Sequence, residues 1–349
     1  MIDNLGPVGV IGAGAWGTTI AHTLAANGLQ VHLWVFEKDL CETIRKTREN
    51  NVYLPGFTLH ENVHANSAVE EIAQACRLLV MVVPSHVYRG VAGSLLPHLQ
   101  RDAVIVNATK GIENDTLLTM SGIWQELLPK GSGVRILCLS GPSFAHEVMR
   151  GIPTAVTLAG PDMEITLEVQ KALSAPRFRI YTSLDVTGVE VAGASKNVIA
   201  LAAGVCDGLS FGYNARAALI TRGLAEISRL GVKMGAHPLT FSGLAGIGDL
   251  LLTCTGDLSR NRTVGMQLAK GRKLKDILGQ MRQVAEGVVT AKSIHMLAQK
   301  MEVEMPICEQ VYRVLYEEKD PLLVVSELLE RDLKHEMEHD PEIGMNQGK

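Results

Sequence analysis

Residues 8–17 read "VGVIGAGAWG" and place Gly12, Gly14 and Gly17 in a G-x-G-x-x-G spacing. Alone that string says little. Here a short apolar run, Val8–Ile11, precedes it and an alanine-rich helical stretch closing at Gly28 follows it. A strand, a tight glycine turn and a helix form the context in which the spacing acquires a mechanism. Gly12 permits the turn, Gly14 lets a pyrophosphate approach the backbone, and Gly17 lets the helix pack on the strand. The helix N-terminus then offers unpaired N–H groups to phosphate oxygens. Glu37 lies 20 residues after Gly17, at the end of the next apolar run. An acid there suits a ribose 2′-hydroxyl, whereas the adjacent Lys38 suits a 2′-phosphate, so both NAD and NADP remain open.

Outward from this motif, apolar runs recur at 31–36, 77–83, 103–109, 135–140, 154–159 and 178–183. The early ones are continuous rather than alternating, as expected of strands covered on both faces. The fold class expected is therefore an α/β Rossmann-type N-terminal domain with a mainly parallel sheet. After about Val186 the strand-like runs stop, and helical patterns occupy 188–206, 214–230, 281–300 and 304–318. This predicts an all-α C-terminal domain. The organisation expected is a dinucleotide-binding domain over 1–186, a helical substrate and catalytic domain over 187–335, and a polar tail over 336–349.

Composition narrows the class of function. Of 349 residues, 46% are hydrophobic and 20% charged, the balance of a globular protein. The formal net charge of -4 provides no basic field for nucleic acid. The six cysteines are scattered without a CxxC pair, which fits reduced, buried thiols in a cytoplasmic protein. No His/Cys/Asp cluster has metal-ligand spacing, so no metal is expected. The opening "MIDNLGPVGV" lacks the basic n-region of a signal peptide. No apolar run is expected to reach the roughly 18 residues of a membrane span.

The reaction site must come from outside the glycine loop, since this domain type supports many chemistries. Strand ends at "VVPSH" (82–86), "NATKG" (107–111) and "LSGPS" (139–143) bring backbone donors and Lys110 to the carboxyl edge of the sheet, where ligands bind. Lys196 is the one charged side chain between Val191 and Cys206. Burial would lower its pKa toward neutrality and let it donate and recover a proton. Its neighbour Asn197 could orient a substrate hydroxyl or a nicotinamide amide. Asp249, opening an apolar helix, could be an ordinary helix N-terminal acid or a partner that orients Lys196. Ser259, Arg260, Asn261 and Arg262 form a donor cluster, either a solvated turn or a phosphate grip. His86 is the histidine best placed at a strand end.

These residues carry a resemblance. The motifs "GAGAWGT", "YLPG" (53–56), "VVPSH", "ATKGI", "LSGPSFA", "GASKNVIALAAG", "NARAALITRGLAEISRLG", "GLAGIGDLLLTCTGDLSRNR", "VAEG" (284–287) and "MPICEQVY" occur in order from about Val8 to Glu318. The chain resembles the bacterial-type NAD(P)-dependent sn-glycerol-3-phosphate dehydrogenases. The resemblance implies reversible reduction of dihydroxyacetone phosphate, supplying the glycerophospholipid backbone. It implies that Lys196 exchanges the proton at the substrate C2 oxygen and that Lys110 contacts substrate and cofactor. Gly141, Ser143, Asn197 and Asp249 complete the substrate site, with Ser259, Arg260 and Asn261 near the phosphate. Gly12, Gly14, Ala15, Trp16, Gly17, Phe36, Glu37, Ala145, Arg260, Val284 and Glu286 lie against the dinucleotide. Where many members carry Arg or His after "LW-x", this chain has Phe36, so a 2′-phosphate would lose a partner there. A homodimer is expected by the same resemblance. Two other readings predict different behaviour: a hydroxy-acid dehydrogenase leaves Arg260 unexplained, and a non-catalytic dinucleotide sensor has no use for a buried lysine.

Overall fold

The computed structural model describes residues 6–281, 284–333 and 336. The expected tail, 336–349, lies outside the described residues apart from Glu336. Eight strands form one sheet: β1 (Val8–Ile11), β2 (Val31–Trp34), β3 (Val63–Asn66), β4 (Leu78–Met81), β5 (Val104–Asn107), β6 (Arg135–Ser140), β7 (Thr154–Ala159) and β8 (Phe178–Ser183). Their spatial order is β3-β2-β1-β4-β5-β6-β7-β8. All neighbours pair in parallel except β6 and β7, which are antiparallel. The chain leaves β3 at one edge and returns beside β1, so the order reverses between β1 and β4. That reversal opens a crevice at the carboxyl ends of the two strands.

The continuous apolar character of the central strands is explained by what covers them. Val8 and Val10 join one buried cluster with Ile20, Leu24 and Leu33, while Ile11 joins a second cluster with Ile72, Tyr88 and Trp124 on the opposite face. The glycine loop follows β1 directly. Gly12 adopts φ +120°, and a Cβ on Gly17 would sit 1.9 Å from the Gly12 carbonyl oxygen. Only glycine permits this turn and the close seating of the Ala15–Ala26 helix behind it.

Beyond β8 no strand occurs among the described residues. The 23-residue helix Val186–Gly208 forms the axis of a second core, with Val191, Ile199 and Leu201 packing against Ile227, Leu250, Val264, Ile294 and Val311 from surrounding helices. This helix, which includes Lys196, is long and apolar enough to cross a bilayer. The expectation that no apolar run reaches spanning length is thereby corrected, because a single lysine and a single glutamate do not offset the apolar residues around them. However, 89% of its most apolar window is buried within the protein, which is the position of a core helix. Its small residues allow very close helix contact. A Cβ on Gly204 would meet the Arg262 carbonyl oxygen at 2.0 Å, and one on Gly265 would meet that of Leu201 at 2.1 Å. The helix Arg260–Ala269 is thereby held hard against the one that carries Lys196.

Candidate active site

The site is assembled where the core helix passes the carboxyl edge of the sheet. Lys196 is 7% exposed and projects from the middle of that helix. Its Nζ donates to Asp249 Oδ1 at 2.5 Å and to Thr253 Oγ1 at 2.7 Å. Lys110, just past β5, donates to the other carboxylate oxygen, Asp249 Oδ2, also at 2.5 Å. One buried carboxylate thus bridges two ammonium groups that the sequence separates by 86 positions. Lys110 also reaches the Gly141 carbonyl at 3.4 Å, and Ser143 Oγ donates to the same carbonyl at 3.0 Å. Ser140, at the end of β6, approaches Asp249 Oδ2 at 3.5 Å.

A short π-helical turn, Leu244–Gly248, delivers Asp249 to this position. The turn folds tightly onto the preceding segment: a Cβ on Gly246 would lie 2.1 Å from the Phe241 carbonyl oxygen. Asp249 then begins the helix Asp249–Thr255, which places Thr253 one turn on and facing the same lysine.

The electrostatics follow from burial and from this bridge. Burial pulls the Lys196 ammonium down to about 7, the Asp249 carboxylate opposes that fall, and the nearby Lys110 charge adds to it. Burial alone would raise the Asp249 carboxyl, but Lys110 and Lys196 outweigh it and hold the group below its ordinary value. The arrangement is a carboxylate held toward its ionised form by two ammonium groups, presenting a lysine that titrates near neutrality. Such a group can give a proton to a developing alkoxide and take it back.

The surrounding candidates fall into place unevenly. Asn197 Oδ1 accepts from Asn261 Nδ2 at 3.0 Å, and Asn261 Oδ1 accepts from the Gly287 N–H at 3.0 Å. Ser259, expected as a donor near the phosphate, is the N-cap of the helix Arg260–Ala269, and its side chain accepts from the Arg262 N–H at 3.3 Å. Arg262 turns away, donating to Asp207 at 2.6 Å and Asp257 at 3.0 Å, so it is no part of the donor cluster. Arg260 lies close enough to Glu286 for their charges to interact. Glu286 opens the helix Glu286–Met301 and accepts from Ser85 Oγ at 2.5 Å and the Ser85 N–H at 3.2 Å, joining the β4 end to the helical region. Val284 and His86 are exposed nearby in sequence, and Phe36 is 75% exposed beside β2.

Around the glycine loop, Gly14 caps the Ala15–Ala26 helix with no side-chain hydrogen bond, and a Cβ on Gly14 would meet nothing within 4 Å. Open space in front of an uncapped helix N-terminus fits a dinucleotide pyrophosphate. The Ala145 carbonyl accepts from Thr19 Oγ1 at 3.3 Å, which brings Ala145 to that helix, and the Trp16 ring meets Phe178 at 6.2 Å. Glu37, the N-cap of the next helix, accepts from the Tyr53 hydroxyl at 2.7 Å. Among the described residues, no group of His, Cys, Asp and Glu is placed to hold a metal ion.

Comparison with known proteins addresses the family. The description "NAD-dependent glycerol-3-phosphate dehydrogenase N-terminus" matches residues 7–166, and "NAD-dependent glycerol-3-phosphate dehydrogenase C-terminus" matches residues 185–326. The chain belongs to this family. It is 69% identical over 333 residues to the glycerol-3-phosphate dehydrogenase [NAD(P)+] of Syntrophobacter fumaroxidans, covering 95% of this chain and 98% of the relative. It is 55% identical over 331 residues to that of Syntrophotalea carbinolica, covering 95% and 99% respectively. A crystal structure of glycerol-3-phosphate dehydrogenase from Coxiella burnetii superposes with a TM-score of 0.89 at 39% identity, covering 93% of this chain and 99% of that one. The chain is accordingly an oxidoreductase of a family that uses NAD or NADP.

Sequence reasoning reached Lys196, Asp249 and the glycine loop. It missed Ser85 as the partner of Glu286, and Thr253 as a ligand of the lysine. Thr253 was within reach, because it stands four residues after Asp249 on an expected helix. Ser85 and Glu286 are 201 positions apart and carry no local signal.

Proposed function

We propose that this chain catalyses the reversible NAD(P)H-dependent reduction of dihydroxyacetone phosphate to sn-glycerol 3-phosphate, with Lys196 as proton donor and acceptor. The observation that carries the reading is the buried Lys196–Asp249–Lys110 bridge at the sheet's carboxyl edge. The bound nicotinamide supplies or accepts the hydride at C2 of the substrate. Lys196 Nζ gives its proton to the C2 oxygen as the carbonyl becomes an alcohol, and recovers it in the reverse direction. Asp249 holds that ammonium in place and keeps the local charge balanced. Lys110 adds a positive charge where negative charge develops on oxygen, the term that dominates many such barriers.

Gly141, Ser143 and Asn197 line the substrate. Arg260, with Ser259 and Asn261, grips the phosphate, and this remote grip orients the carbonyl for attack. Gly12, Gly14, Ala15, Trp16 and Gly17 would hold the dinucleotide, together with Phe36, Glu37, Lys110, Ala145, Arg260, Val284 and Glu286. The division into a dinucleotide-binding part over 1–186 and a helical catalytic part over 187–335 accords with the change from sheet to helices at 183–186. A cytoplasmic homodimer supplying glycerophospholipid synthesis completes the reading.

The test is absorbance at the reduced-nicotinamide band with dihydroxyacetone phosphate and either NADH or NADPH. Loss of signal dependent on the substrate is expected. No loss with either, although a dinucleotide binds, would overturn the substrate assignment.

A further inference from the structure

Glu190 is a buried acid with no part in the chemistry above. It stands near the start of the helix Val186–Gly208, one and a half turns before Lys196, and is 5% exposed. Its carboxylate reaches out of the helical region toward the sheet. Oε1 accepts from the Ser121 N–H at 2.9 Å, and Oε2 accepts from the Ser121 hydroxyl. Ser121 is the second residue of the helix Met120–Leu127, so its N–H is one of the donors that a helix leaves unpaired at its start. Burial pushes the Glu190 carboxyl up from its ordinary value, while Ser121, Thr119 and Asn107 oppose that rise.

The neighbours of Glu190 bracket Lys110 in the chain. Asn107, fully buried, ends β5 just before that lysine, and Ser121 follows it beyond the next loop. Asn107 is fixed from its other side, where its Oδ1 accepts from the Tyr88 hydroxyl, which in turn accepts from Trp124 Nε1 at 2.8 Å. Between the two ends, Arg89 holds Glu113 at 2.7 Å. The segment that carries Lys110 is thus anchored along its length, and Glu190 ties it to the helix that carries Lys196. Along that helix Glu190, Gly193 and Lys196 follow one another at the spacing that places neighbours on adjacent turns. Gly193 lets the helix close on the sheet: a Cβ there would lie 2.8 Å from Ser140 Oγ and 3.7 Å from Lys110 Cγ. The buried Cys138 thiol on β6 feels the charges of both Glu190 and Lys110.

From this arrangement we infer that Glu190 is a positioning residue for the reduction: by clamping the Lys110 segment to the Lys196 helix, it sets the two ammonium groups at the spacing that one Asp249 carboxylate bridges. An apolar side chain would fill the same space without fixing that register. Glu190 acts through the two lysines and not on the substrate. The inference rests on the roles proposed for Lys196 and Lys110 and adds the group that holds them in register.

The experiment is dihydroxyacetone phosphate reduction by the full chain and its variants from pH 5 to pH 9, with dinucleotide affinity and a melting curve for each. Glu190→Ala removes the clamp. Its kcat should fall about tenfold to a hundredfold, the scale of a misplacement of about 1 Å, with dinucleotide affinity nearly unchanged. With Lys110 released from the bridge, Lys196 loses a repelling charge and keeps more of Asp249, so the alkaline limb should move to higher pH. Glu190→Gln keeps an oxygen for the Ser121 N–H and an amide for its hydroxyl, so kcat should stay within about twofold of the wild type and the limb should stay in place. Ser121→Ala removes half of the clamp from the other side and should lower kcat about three- to tenfold, with the limb moving the same way. A folded Glu190→Ala that melts lower yet keeps the wild-type kcat or the wild-type limb would overturn the inference, because Glu190 would then serve stability alone. So would a Glu190→Gln that loses as much as Glu190→Ala, because charge rather than the clamp would then be at work. If Glu190→Ala does not fold, an unmoved kcat and limb in Ser121→Ala would overturn it. No turnover by the wild type, although a dinucleotide binds, would remove the underlying reading and the inference with it.

Discussion

Asp249→Asn isolates the charge at the centre of the site. Asparagine matches aspartate in volume, so no cavity opens, and the amide oxygen can still accept one hydrogen bond. What disappears is the negative charge that two ammonium groups contact at 2.5 Å each, on a side chain 2% exposed. Removing one partner of a buried ion pair costs about 3–5 kcal/mol. Lys110 is partly accessible and keeps its contact with the Gly141 carbonyl. Lys196 is buried and keeps only the neutral Thr253 hydroxyl among its contacts named above, so it relieves the lost charge pairing by releasing its proton. At about 1.4 kcal/mol per unit, even 3 kcal/mol lowers its pKa by about two units. In the wild type the group titrates at about 7 and is half protonated there. In the variant about 1% remains protonated at pH 7, so kcat/KM for the reduction falls about fiftyfold from this cause alone. The assay is kcat/KM for dihydroxyacetone phosphate from pH 5 to pH 9, with a melting curve at each pH to confirm the fold. The alkaline limb of the variant should begin about two units lower than that of the wild type, with much of the lost rate recovered in acid. A folded variant whose limb stays at the wild-type position would refute the claim that Asp249 sets the proton affinity of Lys196.

Three further outcomes follow from the same structure. Reduction needs Lys196 as the ammonium, so its kcat/KM should fall as pH rises through about 7, whereas oxidation of glycerol 3-phosphate needs the neutral amine and should rise through the same pH; parallel profiles in the two directions would contradict this. Arg260→Ala should raise KM for the phosphorylated substrate by about tenfold to a hundredfold with a smaller change in kcat, the loss expected for a charged hydrogen bond, and an unchanged KM would move the phosphate grip elsewhere. Glu226 is 2% exposed and accepts from the Ile307 and Cys308 N–H groups at the start of the helix Pro306–Tyr316, and burial raises its carboxyl to about 7. Because the folded state then binds a proton that the unfolded chain releases near its ordinary value of 4.5, stability should decline between about pH 4.5 and 7 by a few kcal/mol, and Glu226→Gln should flatten that decline in denaturant titrations.

How much the sequence disclosed depended on whether a feature was local. The glycine loop, the central strands and the core helix were legible because each carries its own signal: three glycines in spacing, unbroken apolar runs, and a lone lysine among small residues. β3 was missed because it is an edge strand in which only Ala65 is buried, so no apolar run marks it. The antiparallel turn of β7 against β6 was likewise invisible, since strand direction is set by the connection and not by the residues paired. The sequence leaves the Ser259 cluster open between a solvated turn and a donor group, although a serine ahead of a helical stretch is also a common N-cap, and the structure uses it as one. At the site itself, Asp249 could be linked to Lys196 by chemistry, but nothing in the sequence announced that Lys110 shares the same carboxylate. Pairings over such separations are fixed by how two cores dock, and single-chain periodicity does not record that.

The central claim is that Lys196 supplies the proton, and the most direct measurement is turnover of Lys196→Ala with dihydroxyacetone phosphate and saturating reduced dinucleotide, alongside its dinucleotide affinity. The account predicts kcat lower by about a hundredfold or more with the affinity nearly unchanged. A variant that keeps near wild-type turnover would show that the proton comes from another group.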